Sequence, residues 1–485
     1  MKPARCHASF GANSGETQLE PRILARAEHP ISRRDIDANV LKVLYRLAGA
    51  GFDAYLVGGG VRDLMLSRKP KDFDVATSAH PQQVRELFRN SRLIGRRFRL
   101  VHVFFGRQNV EVATFRKQAE AVADTDDPLI RLDNTFGTPE EDAFRRDFTV
   151  NALFYSPQTF HVIDFPGGVD DLEARLIRTI GDPELRMRED PVRMMRAVRF
   201  AAKLGFEIEP ATHAAIERHR ADLAKASVPR LVDETYKTLG QPEAAHALVL
   251  MQELGLLEYV IPILATHLKS RGATLAEQPA VRNMAALGRA IASGFAPDHS
   301  IVLATLMLDL YRDGARVSAG GAGDRSSGGS RRIDLLGELR ARGFARGDTE
   351  QMRLILEAFA NLASPTRRTR RLMRRPSFPD ARMFFEMTAP TYSIDSSRMI
   401  RFLADPDAFS LSPGAPSPAG DSPQTPPAGD RRRRRRRRRR SRHGSAASSA
   451  AATTGAVHDS VAPGTAENGN RPDDSPASHH PTRRD

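Results

Sequence analysis

Between residues 35 and 155 the apolar positions change period repeatedly, whereas beyond residue 190 they hold a helical period almost to residue 405. In the first stretch, Val40, Val43, Leu44 and Leu47 recur at helical spacing within Asp35–Ala48, downstream of Ser32 as an N-cap candidate. The apolar run Ala54–Val57 reads as a buried strand broken by Gly58-Gly59-Gly60, and Val61–Leu66 as a second helix. Lys71–Val75 alternates with period two, and Pro81–Phe88 is a short helix with proline in its first turn. Leu100–Phe105 and Val110–Phe115 are β-rich runs around the turn at residues 106–109, while Phe148–Tyr155 has no decisive period. This half is expected to fold as a small mixed sheet flanked by helices.

From Asp190 the strand-like runs stop. Pro191–Leu204, Pro210–His219, Pro229–Leu239 and Ala244–Leu257 are helical in pattern, as are Ile301–Tyr311, Ile333–Arg342, Thr349–Leu362 and Pro379–Phe385. The Gly/Ser-rich stretch 315–330 reads as a flexible loop. Residues 1–30 lack periodicity and residues 406–485 are rich in Pro, Ser, Ala, Gly and Arg, so both are expected to be disordered.

Composition narrows the class. No apolar run is long enough to span a bilayer, the first residues lack the apolar core of a signal peptide, and a cytoplasmic location is expected. The single cysteine, Cys6, rules out a disulfide framework or a cysteine zinc cluster within the chain. Of the net charge of +14, ten charges sit in the unbroken run Arg431–Arg440, leaving only +4 for the rest. That run is expected to bind polyanions such as RNA without sequence preference, weakening with salt by about 0.7 log units per log unit of salt for each phosphate contacted.

The chemistry centres on Gly58-Gly59-Gly60-Val61-Arg62-Asp63, followed nine residues later by Asp72-Phe73-Asp74. On a strand, period two places both carboxylates on one face, with Phe73 and Val75 toward the core. Two such carboxylates repel unless a cation neutralises them, and Mg²⁺ prefers carboxylate plus triphosphate oxygens. Glycines let backbone N–H groups approach phosphates, and Arg62 adds positive charge for a triphosphate. Glu111, on the strand after the 106–109 turn, faces the same way as Ala113 and Phe115, and period alone leaves open whether it joins the pair.

Two further clusters follow. In Arg145-Arg146-Asp147-Phe148-Thr149-Val150-Asn151, a helical reading makes Asp147 and Asn151 i,i+4 neighbours able to bond ribose hydroxyls, with the arginines free for phosphates. Spacing by itself favours an ordinary helix start with flanking charges. In Glu189-Asp190-Pro191-Val192-Arg193-Met194-Met195-Arg196-Ala197-Val198-Arg199, Asp190 is an N-cap candidate before Pro191. Arg193, Arg196 and Arg199 form a stripe expected to be solvated or to face an anion.

These motifs, with Leu56-Val57 and Ala152-Leu153 at their edges, resemble the class II tRNA nucleotidyltransferase and bacterial poly(A) polymerase family from about His29 to Phe206. The resemblance implies a polymerase-β-type nucleotidyltransferase head at residues 31–181, a helical neck at 182–257 and a helical body at 258–405, an α+β multidomain fold. It implies metal ligation by Asp72 and Asp74, and a further active-site carboxylate in Asp147. Gly59, Arg62, Arg146, Asn151, Asp190, Arg193 and Arg196 would contact the nucleotide, with Asp190 and Arg193 choosing the base. The turn Phe165–Leu172 matches the family's junction between head and neck. Residues 95–103 and 29–34 resemble the poly(A) polymerase branch.

The expected reaction is in-line attack of an RNA 3′-hydroxyl on the α-phosphate of ATP, releasing pyrophosphate, at a two-Mg²⁺ site. A CCA-adding enzyme and a non-catalytic RNA-binding protein on the same fold are the alternatives.

Overall fold

The computed structural model describes residues 20–95, 100–117, 136–314, 334–366 and 369–405. Cys6, the 315–330 stretch and Arg431–Arg440 lie outside the described residues.

Eight strands form one mixed sheet: β1 (Arg22–Leu24), β2 (Ala54–Val57), β3 (Asp74–Thr77), β4 (Ser91–Ile94), β5 (Leu100–Phe105), β6 (Gln108–Thr114), β7 (Leu153–Ser156) and β8 (His161–Asp164). Their order is β1-β8-β7-β2-β3-β6-β5-β4. Only β3 and β6 are parallel neighbours; the other pairs are antiparallel.

The helices in chain order begin with α1 (Ala38–Gly49), α2 (Gly59–Met65), α3 (Pro81–Leu87), α4 (Pro139–Phe144), α5 (Gly168–Ala174), α6 (Pro183–Glu189), α7 (Val192–Leu204), α8 (Pro210–His219) and α9 (Val228–Leu239). Beyond α9 the described chain contains α-helices and short 3₁₀ turns, with Ala244–Glu253, Pro279–Ala292, His299–Arg312, Arg346–Ala363 and Phe378–Thr388 among the longest.

The alternation of side chains sorts the sheet into two faces. Leu56, Val75, Val101 and Val112 join the large core that also takes in α1, α2 and α3. Val57, Ala76, Phe115 and Phe154 face the other way and pack with Ala143 and Ile180 in a smaller cluster. Asp74 shares the face of Ala76, so the site lies on the side of the smaller cluster.

The structure corrects several sequence expectations. Arg22–Leu24, expected to be disordered, pairs with β8, and His29 and Ile31 are buried. The first helix starts later, at Ala38, because Asp37 accepts the N–H groups of Asn39 and Val40. Ser32 instead caps a 3₁₀ turn, Arg33–Asp35, by accepting from Arg34 N. Phe148–Tyr155 divides into a 3₁₀ turn, Thr149–Asn151, and β7. The helix expected to run through Leu257 stops at Glu253, with a separate turn of helix at Leu257–Val260.

Candidate active site

The site starts at the end of β2. Gly58 has φ 72° and ψ −137°, a conformation open to glycine alone, and it turns the chain into α2. A Cβ on Gly58 would lie 3.0 Å from Arg146 Nη1, so the missing side chain lets that guanidinium lie against the turn. A Cβ on Gly60 would stand 3.3 Å from the Asp72 carbonyl and 3.5 Å from the Phe73 ring. This glycine therefore brings the Asp72–Asp74 segment against the start of α2.

Asp72 lies just before β3, not within it, and both Asp72 and Asp74 are exposed. Val75 is buried and Phe73 half-buried against the large core, as the alternation implied. Register brings Glu111 alongside the pair: β3 and β6 pair Asp74 with Glu111 directly. Although Asp74 reaches solvent, partial desolvation by the protein around it, then the Glu111 carboxylate, raises its pKa; Arg146 pulls it back and Asp72 raises it further. On its other side Glu111 lies 3.5 Å from His102 Nε2.

Among the described residues no three His, Cys, Asp or Glu side chains converge into a ready metal cage. Mg²⁺ needs no such cage, since one or two carboxylates plus substrate phosphates suffice. The like-charged, solvent-facing Asp72 and Asp74, with Glu111 alongside, form a donor set of that kind.

Arg62 is not where the sequence placed it. It is 2% exposed, and its Nε and Nη2 donate to its own neighbour Asp63 Oδ1 at 2.8 and 2.6 Å. Its Nη1 donates to Asn151 Oδ1 at 2.5 Å. A Cβ on Gly59 would meet Arg62 Nη2 at 3.5 Å, so Arg62 supports the glycine turn from beneath. The charge lying against the turn belongs instead to the half-buried Arg146.

Asp147 and Asn151 are brought together as expected, with Asn151 Nδ2 donating to Asp147 Oδ1 at 3.3 Å. The same oxygen accepts from Phe148 N at 2.9 Å, while Oδ2 accepts from Arg196 Nε at 2.7 Å. Burial alone would push the Asp147 carboxyl up, but Arg196 overrides it and holds the group below the usual carboxylate range. Both oxygens are thus committed inside the protein, which fits a positioning group better than a metal ligand.

The arginine stripe on α7 likewise has protein partners. Arg193 Nη1 donates to Arg186 O at 2.8 Å and Glu189 Oε2 at 3.2 Å. Arg196 pairs with Asp147, and Arg199 Nε donates to Glu234 Oε1 at 2.5 Å. Asp147 and Glu234 are far away along the chain, so the spacing around the stripe does not reveal them as its partners. Asp190 Oδ1 accepts from Val192 N at 3.3 Å, as a cap would, and Oδ2 accepts from Arg230 Nη2 at 2.7 Å.

Three buried groups that organise these residues were missed. Asp142, 1% exposed, accepts from Arg145 through Oδ1 and from Arg146 through Oδ2, two contacts each, and from Arg116 N. Glu234 anchors Arg199. Arg186 donates to the Arg145 and Arg146 carbonyls and to Glu189, tying α6 to the Arg146 segment. Only Asp142 left a signal, at i−3 and i−4 from the two arginines.

A glycine turn feeding a short helix, carboxylates on neighbouring strands of a mixed sheet, and an all-helical continuation define a nucleotidyltransferase head with a helical extension. Residues 54–178 match the family model for the poly A polymerase head domain, and residues 205–268 that for a probable RNA and SrmB-binding site of polymerase A. The chain belongs to the class II tRNA nucleotidyltransferase/poly(A) polymerase family.

Poly(A) polymerase I of Salmonella typhi is 49% identical over 264 residues, 53% of this chain and 57% of that protein. The CCA-adding enzyme of Lactobacillus helveticus is 40% identical over 228 residues, 47% of this chain and 56% of the enzyme. The chain thus spans little more than half the length of these curated relatives. The crystal structure of the Bacillus stearothermophilus CCA-adding enzyme in complex with CTP aligns with TM-score 0.57 and 30% identity, covering 76% of this chain and 82% of that one.

Proposed function

We propose that the chain is a template-independent polynucleotide adenylyltransferase that extends RNA 3′ ends from ATP. The observation that carries this reading is the pairing of Asp74 with Glu111 beside Asp72, under a glycine turn flanked by Arg146. In this reading Asp72 and Asp74 hold Mg²⁺, with Glu111 as a third carboxylate. The bound metal supplies positive charge at the attacking 3′-hydroxyl and the triphosphate.

The protein's own part is positioning and charge. Gly58 lets Arg146 close on the turn, and Arg146, held by Asp142, supplies a fixed cation there for the triphosphate. Arg62, Asn151, Asp147 and Arg196 form a relay that fixes the turn to α7. Asp190 offers an acceptor and Arg193 a donor. That pair complements an exocyclic amino group beside an unprotonated ring nitrogen, a pattern that adenine and cytosine present on the Watson–Crick edge and guanine and uracil do not.

ATP and a long product are favoured because the poly(A) polymerase relative is the more similar of the two branches, 49% identical against 40%. CCA addition to tRNA is the second reading, supported by the likeness to the CTP-bound enzyme. Among the described residues no helix is long and apolar enough to cross a membrane, and we place the activity in the cytoplasm.

Incubating the protein with Mg²⁺, a short RNA and each single NTP tests the proposal. Long oligo(A) from ATP alone is expected. Addition limited to C and A on tRNA supports the second reading, and no incorporation points to a binder.

A further inference from the structure

Asp190 carries a partner that no nucleotide-binding motif of the chain includes. Its Oδ1 is fixed to the backbone by Val192 N at 3.3 Å, and its Oδ2 accepts from Arg230 Nη2 at 2.7 Å. Arg230 sits in the first turn of α9, and its side chain is 57% exposed. Arg193, three residues from Asp190, is held on its inner side by Arg186 O and Glu189.

We propose that Arg230 is a specificity-determining residue, which orients the Asp190 carboxylate toward the amino group of the incoming base. The proposal rests on the base-reading role given above to Asp190 and Arg193. With one oxygen tied to the start of α7 and the other to α9, the carboxylate has a single orientation. Each oxygen keeps a lone pair beyond the one already engaged. So oriented, the carboxylate meets the carbonyl of a guanine or uracil edge as acceptor against acceptor. Acceptor facing acceptor is the repulsive element that rejects those bases.

Arg230 suits a test because an ion pair this exposed contributes little to folding. Full-length wild type, Arg230→Ala, Arg230→Lys, Asp190→Ala and Asp233→Ala would be assayed with Mg²⁺, a short RNA primer and each single NTP. Asp233 is an exposed residue of the same helix, paired only with Lys237, and serves as the neutral control.

Arg230→Ala is expected to raise KM for ATP about tenfold and to raise GTP and UTP incorporation relative to ATP by a similar factor. Its kcat for ATP should stay within about threefold and its melting temperature unchanged. Arg230→Lys should recover most of the KM, since it keeps a charge on Oδ2. Unchanged KM and selectivity in Arg230→Ala, with selectivity lost in Asp190→Ala, overturns the role of Arg230 and leaves base reading intact. Wild-type selectivity in Asp190→Ala overturns base reading itself, and the proposal with it.

Discussion

Asp74 on β3 and Glu111 on β6 are register partners on adjacent parallel strands, so their carboxylates leave the same face side by side. Partial desolvation, followed by the Glu111 charge, raises the Asp74 pKa above its ordinary 3.8. A carboxyl with a raised folded pKa takes up protons on folding. Its favourable contribution is complete below 3.8 and is lost as pH rises through the folded value. At neutral pH the ionised group therefore costs stability. Asp74→Asn is expected to melt slightly above wild type at pH 7, with the difference vanishing in acid, while nucleotide addition falls to background. Thermal melts across pH, with a primer-extension assay, check both halves. A variant that melts lower at pH 7 contradicts the electrostatic account.

In the proposed reading a cation bound at this face relieves the repulsion and is expected to stabilise the fold. Mg²⁺ at 100 times its Kd is expected to add about 2.7 kcal/mol, and chelation to remove it. Asp72→Asn/Asp74→Asn should lose this dependence even without nucleotide or RNA. Melts with and without Mg²⁺ measure it, and an undiminished shift in the double variant places the metal elsewhere.

Asp147 and Arg196 join the loop after α4 to α7 through contacts of 2.7 and 2.5 Å. Removing one member of a buried pair costs about 3–5 kcal/mol. With Arg196 one-third exposed, Asp147→Ala should fall near the lower end, about 3 kcal/mol by denaturant unfolding. Because Arg196 lowers the Asp147 pKa, the pair's contribution is complete above 3.8 and fades as pH falls through the depressed folded value. The gap between wild type and variant should be flat from neutral pH to about 4 and narrow only below it.

The carboxylate end of the candidate site was legible because its cause is local. Gly58, Gly60, Asp72 and Asp74 act within seventeen residues of one another, where spacing and period carry the information. Glu111 needed the parallel register of β3 and β6, which no single strand reveals. Arg62 was misread because a charged residue one turn into a helix gives no sign of whether it is buried. Its partner Asn151 lies 89 residues away. Glu234, 35 residues from Arg199, escaped for the same reason. The fold followed the same rule: long periodic helices were visible, and the short edge strands β1 and β4 were not.

Asp142 is the residue whose loss should separate positioning from folding. One carboxylate, 1% exposed, engages two guanidinium groups side-on, with Arg145 at 2.9 and 2.6 Å and Arg146 at 3.1 and 2.8 Å. Burial by itself would raise its pKa, but the two arginines hold it below the carboxylate range. Asp142→Asn keeps the shape, removes the charge and replaces one acceptor oxygen with a donor amide facing a guanidinium. A destabilisation of about 2–3 kcal/mol is expected, the cost of leaving charged hydrogen bonds unmade. Arg146, freed from its anchor, should lose its fixed place against Gly58. KM for ATP is therefore expected to rise at least about tenfold, while RNA affinity changes little, because only the triphosphate contact is disturbed. Arg146→Lys should reproduce the KM effect with a smaller loss of stability, since an ammonium cannot span Asp142 and the turn together. Equal losses of ATP and RNA binding in Asp142→Asn would mean that Asp142 supports the fold and does not aim Arg146.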